Sequence, residues 1–284
     1  MCFPDTWMMT IKRARRSGKR IGRAFRNAIV KSANDRVMAM VAIRCVGLVL
    51  GLAILPFVDW PAAPAWKWLA LTALVQFGYY ALLIRSYDIG DMSVVYPLAR
   101  GLAPVLTTLA AFLAIDEALS AAQLGAVLLI SLGIMVLSWG AGASGAAVGY
   151  ALATGASVAA YSFSSGMGVR SGGTVLGFQA WLEIVNGVVM LGFALLTRRR
   201  AALDYARHHS ATGLLAGVLS VLGFLAFLAA AQSLPLGPVT ALRETSVIFG
   251  AVIGSIVLKE GFGLRRIAAA TMVVLGIARL AFWR

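Results

Sequence analysis

The chain has 284 residues, 60% of them hydrophobic and only 13% charged, and its mean hydropathy of +0.86 excludes an ordinary soluble domain. A formal net charge of +14 would suit nucleic acid, but ten Lys and Arg stand against Asp5 and Asp35 within residues 1–36, leaving +6 for all the rest. A basic cap on an apolar chain points to membrane orientation and headgroup contact, and no nucleic-acid partner is expected.

In chain order, the basic segment 1–36 comes first. Ile21, Phe25, Ala28 and Ile29 follow helical spacing, with Lys19, Arg20, Arg23 and Arg26 between them. This predicts an amphipathic helix on the cytoplasmic surface, against anionic lipid headgroups. It lacks the apolar stretch of a secretory signal peptide. Nine hydrophobic stretches then follow, at about 37–58, 66–84, 93–115, 123–139, 146–169, 174–197, 211–231, 237–258 and 263–282. Roughly 20 apolar residues cross a hydrocarbon core, and unpaired backbone amides there cost several kcal/mol, on the order of the transfer penalty, so each stretch should be helical.

Between the stretches, Asp59, Pro61 and Pro64 mark a turn, and Trp60, Trp66 and Trp68 form an interfacial belt. Small residues from Gly140 to Gly145 separate a first half, 37–139, from a second, 146–284. The loop near 198–210 is basic, and His208 and His209 within it have no metal-ligand company. Cys2 and Cys45 have no metal spacing either. No P-loop, nucleophile elbow or dinucleotide fingerprint stands in a believable context, so neither enzyme activity, cofactor nor metal is expected.

The last two stretches echo an earlier pair at a distance of 143 residues. Arg100 recurs as Arg243, Glu117 as Glu260, and Leu132-Gly133-Ile134 as Leu275-Gly276-Ile277. Five spans separate the pairs, an odd number, so the echoes should face opposite ways as an inverted repeat. Sorting Lys and Arg by alternate loops puts eighteen on one side and four on the other, with Arg44, Arg100 and Arg243 inside spans. The richer side should be cytoplasmic.

Ionisable groups inside spans are the candidate chemistry, because each costs about 2.5–3.5 kcal/mol near a helix centre. Glu183 lies closest to a midpoint, and Asn186 shares its face. A carboxyl in such surroundings could load and release a proton, or merely fix helix packing. Arg100 and Arg243 lie six or seven residues inside their spans, about 10 Å deep. They could bind a substrate carboxylate or phosphate, or neutralise Glu183 or Glu244. Glu244 follows Arg243 directly and should point roughly 100° away from it. Arg44 reads as a snorkelling anchor. Pro97, Gly237 and Pro238 open the two echoed spans and are candidate hinges. Tyr79, Tyr80, Tyr96, Tyr161 and Trp181 are candidate cavity walls, and the polar stretch from Tyr161 to Gly166 is expected to border water.

Two segments carry a family resemblance: Gly90-Asp91-Met92-Ser93-Val94-Val95-Tyr96-Pro97-Leu98-Ala99-Arg100 and Gly237-Pro238-Val239-Thr240-Ala241-Leu242-Arg243-Glu244-Thr245-Ser246. With them the chain resembles the EamA family of the drug/metabolite transporter superfamily from about residue 27 to 282. The Gly-Glu usual in the following turns is Asp116-Glu117 and Lys259-Glu260 here, so only the acid is kept. The resemblance implies ten helices in two inverted five-helix halves, a central cavity and alternating access for small metabolites. Residues 27–31 answer to the tail of the first helix, and arginines stand where its apolar part is usual.

The expectation is therefore an all-α polytopic membrane bundle with nine clear spans. Its function would be secondary transport, proton- or ion-coupled, of a small molecule across a bacterial cytoplasmic (inner) membrane. A homodimer is the one assembly left open. The alternative is a membrane scaffold or defective transporter paralogue that carries nothing.

Overall fold

The computed structural model describes residues 21–90, 92–138, 144–198, 210–249 and 263–282. Outside them lie the first twenty residues, Trp139, His208, His209, Lys259, Glu260 and nearly all of the small-residue stretch between the halves.

Among the described residues there are nine α-helices and no strand: α1 (Ile21–Ile54), α2 (Ala63–Ile89), α3 (Met92–Ile115), α4 (Ala121–Val136), α5 (Gly145–Arg170), α6 (Val175–Thr197), α7 (Ser210–Ser233), α8 (Leu236–Glu244) and α9 (Leu264–Phe282). Their starts have local causes. Pro64 sits in the first turn of α2, where its missing N–H costs nothing. Ser120 and Gln123 bond each other's backbone in a capping box before α4. Ser144 and Thr174 accept from backbone amides at the starts of α5 and α6.

Residues 21–36, expected to lie on the membrane surface, continue without a break into the first span as one 34-residue helix. Among the described residues six helices are long and apolar enough to cross a membrane: Val37–Phe57, Ala63–Ser86, Val94–Ile115, Gly145–Arg170, Val175–Thr197 and Gly213–Ser233, against the nine apolar stretches expected. The expected stretch at 237–258 runs beyond the described residues. The remaining three helices differ from these six. α4 has 16 residues and ends in a turn at Leu137, where the Ser138 hydroxyl donates to the Met135 carbonyl. α8 stops at Glu244 because the chain turns at Thr245 before resuming as helix over 246–249. α9 carries Arg265, Arg266 and Arg279. Large apolar side chains such as Leu74, Leu113, Leu215 and Leu222 face outward, as a lipid-bathed bundle requires.

The echoed helices run against each other. A methyl group added at Gly133 of α4 would lie 3.1 Å from the Ala269 carbonyl oxygen of α9. One added at Gly276 of α9 would lie 3.2 Å from that of Ala126 in α4. Each echoed glycine thus lets the other helix approach, and later residues of α4 meet earlier residues of α9. The α3–α8 pair behaves alike: Arg100 meets Glu244 while Thr108 meets Gly237. Equivalent helices are antiparallel, so the repeat is inverted.

Candidate functional site

Five ionisable side chains inside the bundle form two linked groups around a cavity of about 530 Å³. In the first, Arg44 of α1 pairs with Glu183 of α6 at 3.1 Å and donates to the Ser220 hydroxyl of α7 at 3.3 Å. Glu183 also accepts from Gln179 Nε2 at 2.9 Å, one turn away on its own helix. Gly47, directly opposite, leaves the room Glu183 occupies.

In the second group, Glu244 of α8 is held by both echoed arginines. Arg100 of α3 reaches one oxygen at 2.9 Å, and Arg243 reaches the other at 2.7 Å. Arg100 also donates to the Tyr79 hydroxyl at 3.3 Å, and Arg243 to the Ser162 hydroxyl at 2.8 Å. Aromatic faces back the guanidiniums: Arg44 lies over Tyr80, Arg100 over Tyr96, and Arg243 over Phe227 and Tyr161, the closest at 4.3 Å. The first half offers no carboxylate of its own at this level, because Gly101 stands 143 residues before Glu244. There the chain uses a glycine to bring α3 onto Ser131 and Met135 of α4.

Several expectations need correction. Arg243 and Glu244 are partners despite being consecutive, because the long guanidinium arm folds back where the helix turns at Thr245. Arg44 is no surface anchor; it pairs inside the bundle with Glu183. Trp181 stands apart from the cavity walls and stacks with Trp60 and Trp66. Two residues of helix separate it from Glu183, roughly 200° of rotation, so the two cannot share a face. Tyr96 backs Arg100 without lining the cavity, whereas Tyr80 and Tyr161 line it. Ser162, Ser164 and Ser165 are buried rather than exposed, and bond their own helix, Thr72 or, for Ser162, also Arg243.

Asn186 shares the buried face of Glu183 but donates to Gln76 of α2 at 2.8 Å. Pro97 lies inside α3, as does Pro104, while Gly237 and Pro238 lie in the first turn of α8. Sequence reasoning missed Gln76, Gln179 and Ser220, whereas Tyr79, a candidate wall residue, does line the cavity. Gln76 and Gln179, amides inside apolar stretches, were the available signal.

A second polar cluster closes the opposite end of the bundle. Glu117, after α3, accepts the Leu236 amide at 2.6 Å and pairs with Arg170, at the end of α5, at 2.8 Å. Arg170 also donates to the carbonyls of Ala231 and Leu234 at 2.8 and 2.7 Å. This clasp ties the α3–α4 turn, the end of α5 and the α7–α8 connection. Asp116 beside it has φ of 52°, the left-handed region that favours glycine and that Asp tolerates.

The profile of the EamA-like transporter family matches residues 27–139 and again 145–282, one copy to each half. The chain belongs to the EamA-like transporter family. It is an all-helical integral membrane protein with a transporter-like fold of two inverted EamA repeats. A solved structure described as "Crystal structure of protein" matches with a TM-score of 0.69 at 14% identity, covering 89% of this chain and 90% of that one; the likeness is one of fold. Among curated proteins none matches.

Proposed function

We propose that this EamA chain is a secondary active transporter that moves a small metabolite by alternating access, coupled to protons or another ion. The observation that carries this reading is the buried guanidinium–carboxylate network around a cavity in the apolar core. Charged groups in a bilayer are costly and mark solute or proton pathways. Glu183 is the coupling site, with Asn186 and Gln76 beside it. Protonation of Glu183 would release Arg44 from the carboxylate it pairs with. Arg100, Arg243 and Glu244 form the central counter-charges, Tyr80 and Tyr161 the walls, and Tyr96 and Trp181 the aromatic support behind them. Pro97, Gly237 and Pro238 let α3 and α8 flex.

The cavity lies toward the end where α1 enters its span and α2 gives way to α3. The excess of positive residues supports a cytoplasmic location for that end, and on this reading the cavity faces inward while the Glu117–Arg170 clasp lies outside. The membrane is a bacterial cytoplasmic one, and the basic N-terminal segment meets its anionic headgroups.

The test is flux into proteoliposomes of a radiolabelled panel of amino acids and organic acids, with and without a pH gradient. Gradient-driven accumulation by the native chain, abolished in Glu183→Gln while counterflow persists, supports the reading. Accumulation that Glu183→Gln leaves unchanged removes the coupling assignment. Absence of any gradient-dependent flux leaves a scaffold that binds without carrying.

A further inference from the structure

We infer that the cavity is built for an organic anion, an amphipathic molecule carrying one carboxylate or phosphate beside an apolar or aromatic body. This rests on the transporter reading and specifies its substrate. Around the cavity, among the described residues, stand three guanidiniums and two carboxylates, so Arg100 and Arg243 share one carboxylate and one positive charge is in excess. Arginine cannot shed its proton to relieve that excess. An uncompensated charge in a low-dielectric interior is strongly unfavourable, and a bound anion removes the penalty.

Exposure says which groups face the vacancy. Glu183 and Glu244 are 3% and 0% exposed, while the side chains of Arg44, Arg100 and Arg243 keep 15–20%. The carboxylates lie behind and the guanidiniums in front. Arg243 keeps unused capacity: its Nη1 has no hydrogen-bond partner while Nε and Nη2 are engaged, and because Nη1 is itself buried, a rotation of the side chain must bring it to the cavity before it donates. A carboxylate or phosphate oxygen is the acceptor that such a donor takes best. Tyr79, Tyr80, Tyr161 and Phe224 supply the aromatic wall for the remainder of the molecule. Neither Glu183 nor Glu244 is exposed at the front to receive a cation.

The experiment uses the purified full chain in phosphatidylcholine nanodiscs and three probes of one size: 3-phenylpropionate, 3-phenylpropanol and 3-phenylpropylammonium. Affinities are read from the shift in thermal unfolding with probe concentration, since a ligand of the folded state stabilises it. The propionate should bind at least about ten-fold more tightly than the alcohol, with the ammonium weakest; ten-fold is the least that loss of a charge-assisted contact should produce. Phenyl phosphate should behave like the propionate. In Arg243→Gln the preference for the anion should vanish. The native chain carries the test by itself if that variant fails to fold. Equal affinities, a preference for the ammonium, or no binding by any probe at millimolar concentration overturns the inference. A second arm replaces part of the lipid with phosphatidylglycerol. Unchanged propionate affinity keeps the soluble anion as ligand, and its loss assigns the site to a lipid headgroup instead. Because binding is read without a gradient, anion binding with no flux would defeat the transporter reading alone. Accumulation of neutral solutes only would defeat this inference alone.

Discussion

The inner cavity and the outer clasp are both built from arginine and glutamate, yet they spend their hydrogen bonds differently. At the clasp, Arg170 divides its donors between Glu117 and two backbone carbonyls, and Glu117 takes a backbone amide in return. Helix ends leave such groups without partners, so a side chain there satisfies the chain's own architecture. Around the cavity the same residue types bond side chains, in unequal numbers, with a guanidinium nitrogen left over. Pairing with backbone marks structure, and unequal pairing between side chains marks a place reserved for something else.

The largest expected effect tests the cavity side of that contrast. Glu244→Gln leaves two buried guanidiniums facing a neutral amide and should destabilise the chain by about 3–5 kcal/mol, read as a drop in thermal midpoint in detergent. A midpoint within a degree of the native one would show that the network holds no such strain. Next comes Gly276→Leu, which touches neither region and forces α4 away from α9. It should cost about 2–3 kcal/mol by overpacking while leaving the probe-charge preference of the folded fraction intact. A lost preference would mean that the seam, and not the charges, sets selectivity.

Arg170→Met at the clasp should cost about 1–2 kcal/mol, because the freed groups lie at helix ends within reach of water. Its anion preference should match that of the native chain, and a changed preference would erase the distinction between the two regions. The smallest effect belongs to Asp116→Gly, which relaxes a left-handed residue and should alter stability by no more than about 0.5–1 kcal/mol. Asp116→Val should lose about 1–2 kcal/mol at the same position. Equal stabilities of the two variants would contradict the backbone account of that turn.

Much of the architecture was legible because the membrane leaves few alternatives. Apolar length announced the helices, and the 143-residue echo announced the inverted halves, which Gly133 and Gly276 realise at a shared contact. The span count was less secure, since residue tallies do not reveal the turn at Thr245 or the short length of α4. Side-chain pairing was the least legible. Arg44, at a depth resembling that of Arg100, was assigned to the surface because its partner, Glu183, lies 139 residues away. Arg243 and Glu244 point apart at their Cβ atoms, and only the length of the guanidinium arm lets them meet. Such pairings depend on helix rotation and long flexible arms, neither of which hydropathy records.

The placement of Glu244 has a further consequence. In a perfectly duplicated chain, two conformations that exchange the roles of the halves would be equal in energy, and neither face of the membrane would be favoured at rest. Here both halves contribute an arginine, but position 101 is glycine and only the second half brings an acid. Arg243 is tethered to that acid by adjacency in the chain, whereas Arg100 holds it across a helix interface. On the transport reading, a rocking motion would strain one contact more than the other, so the two conformations would differ in energy without any solute aboard.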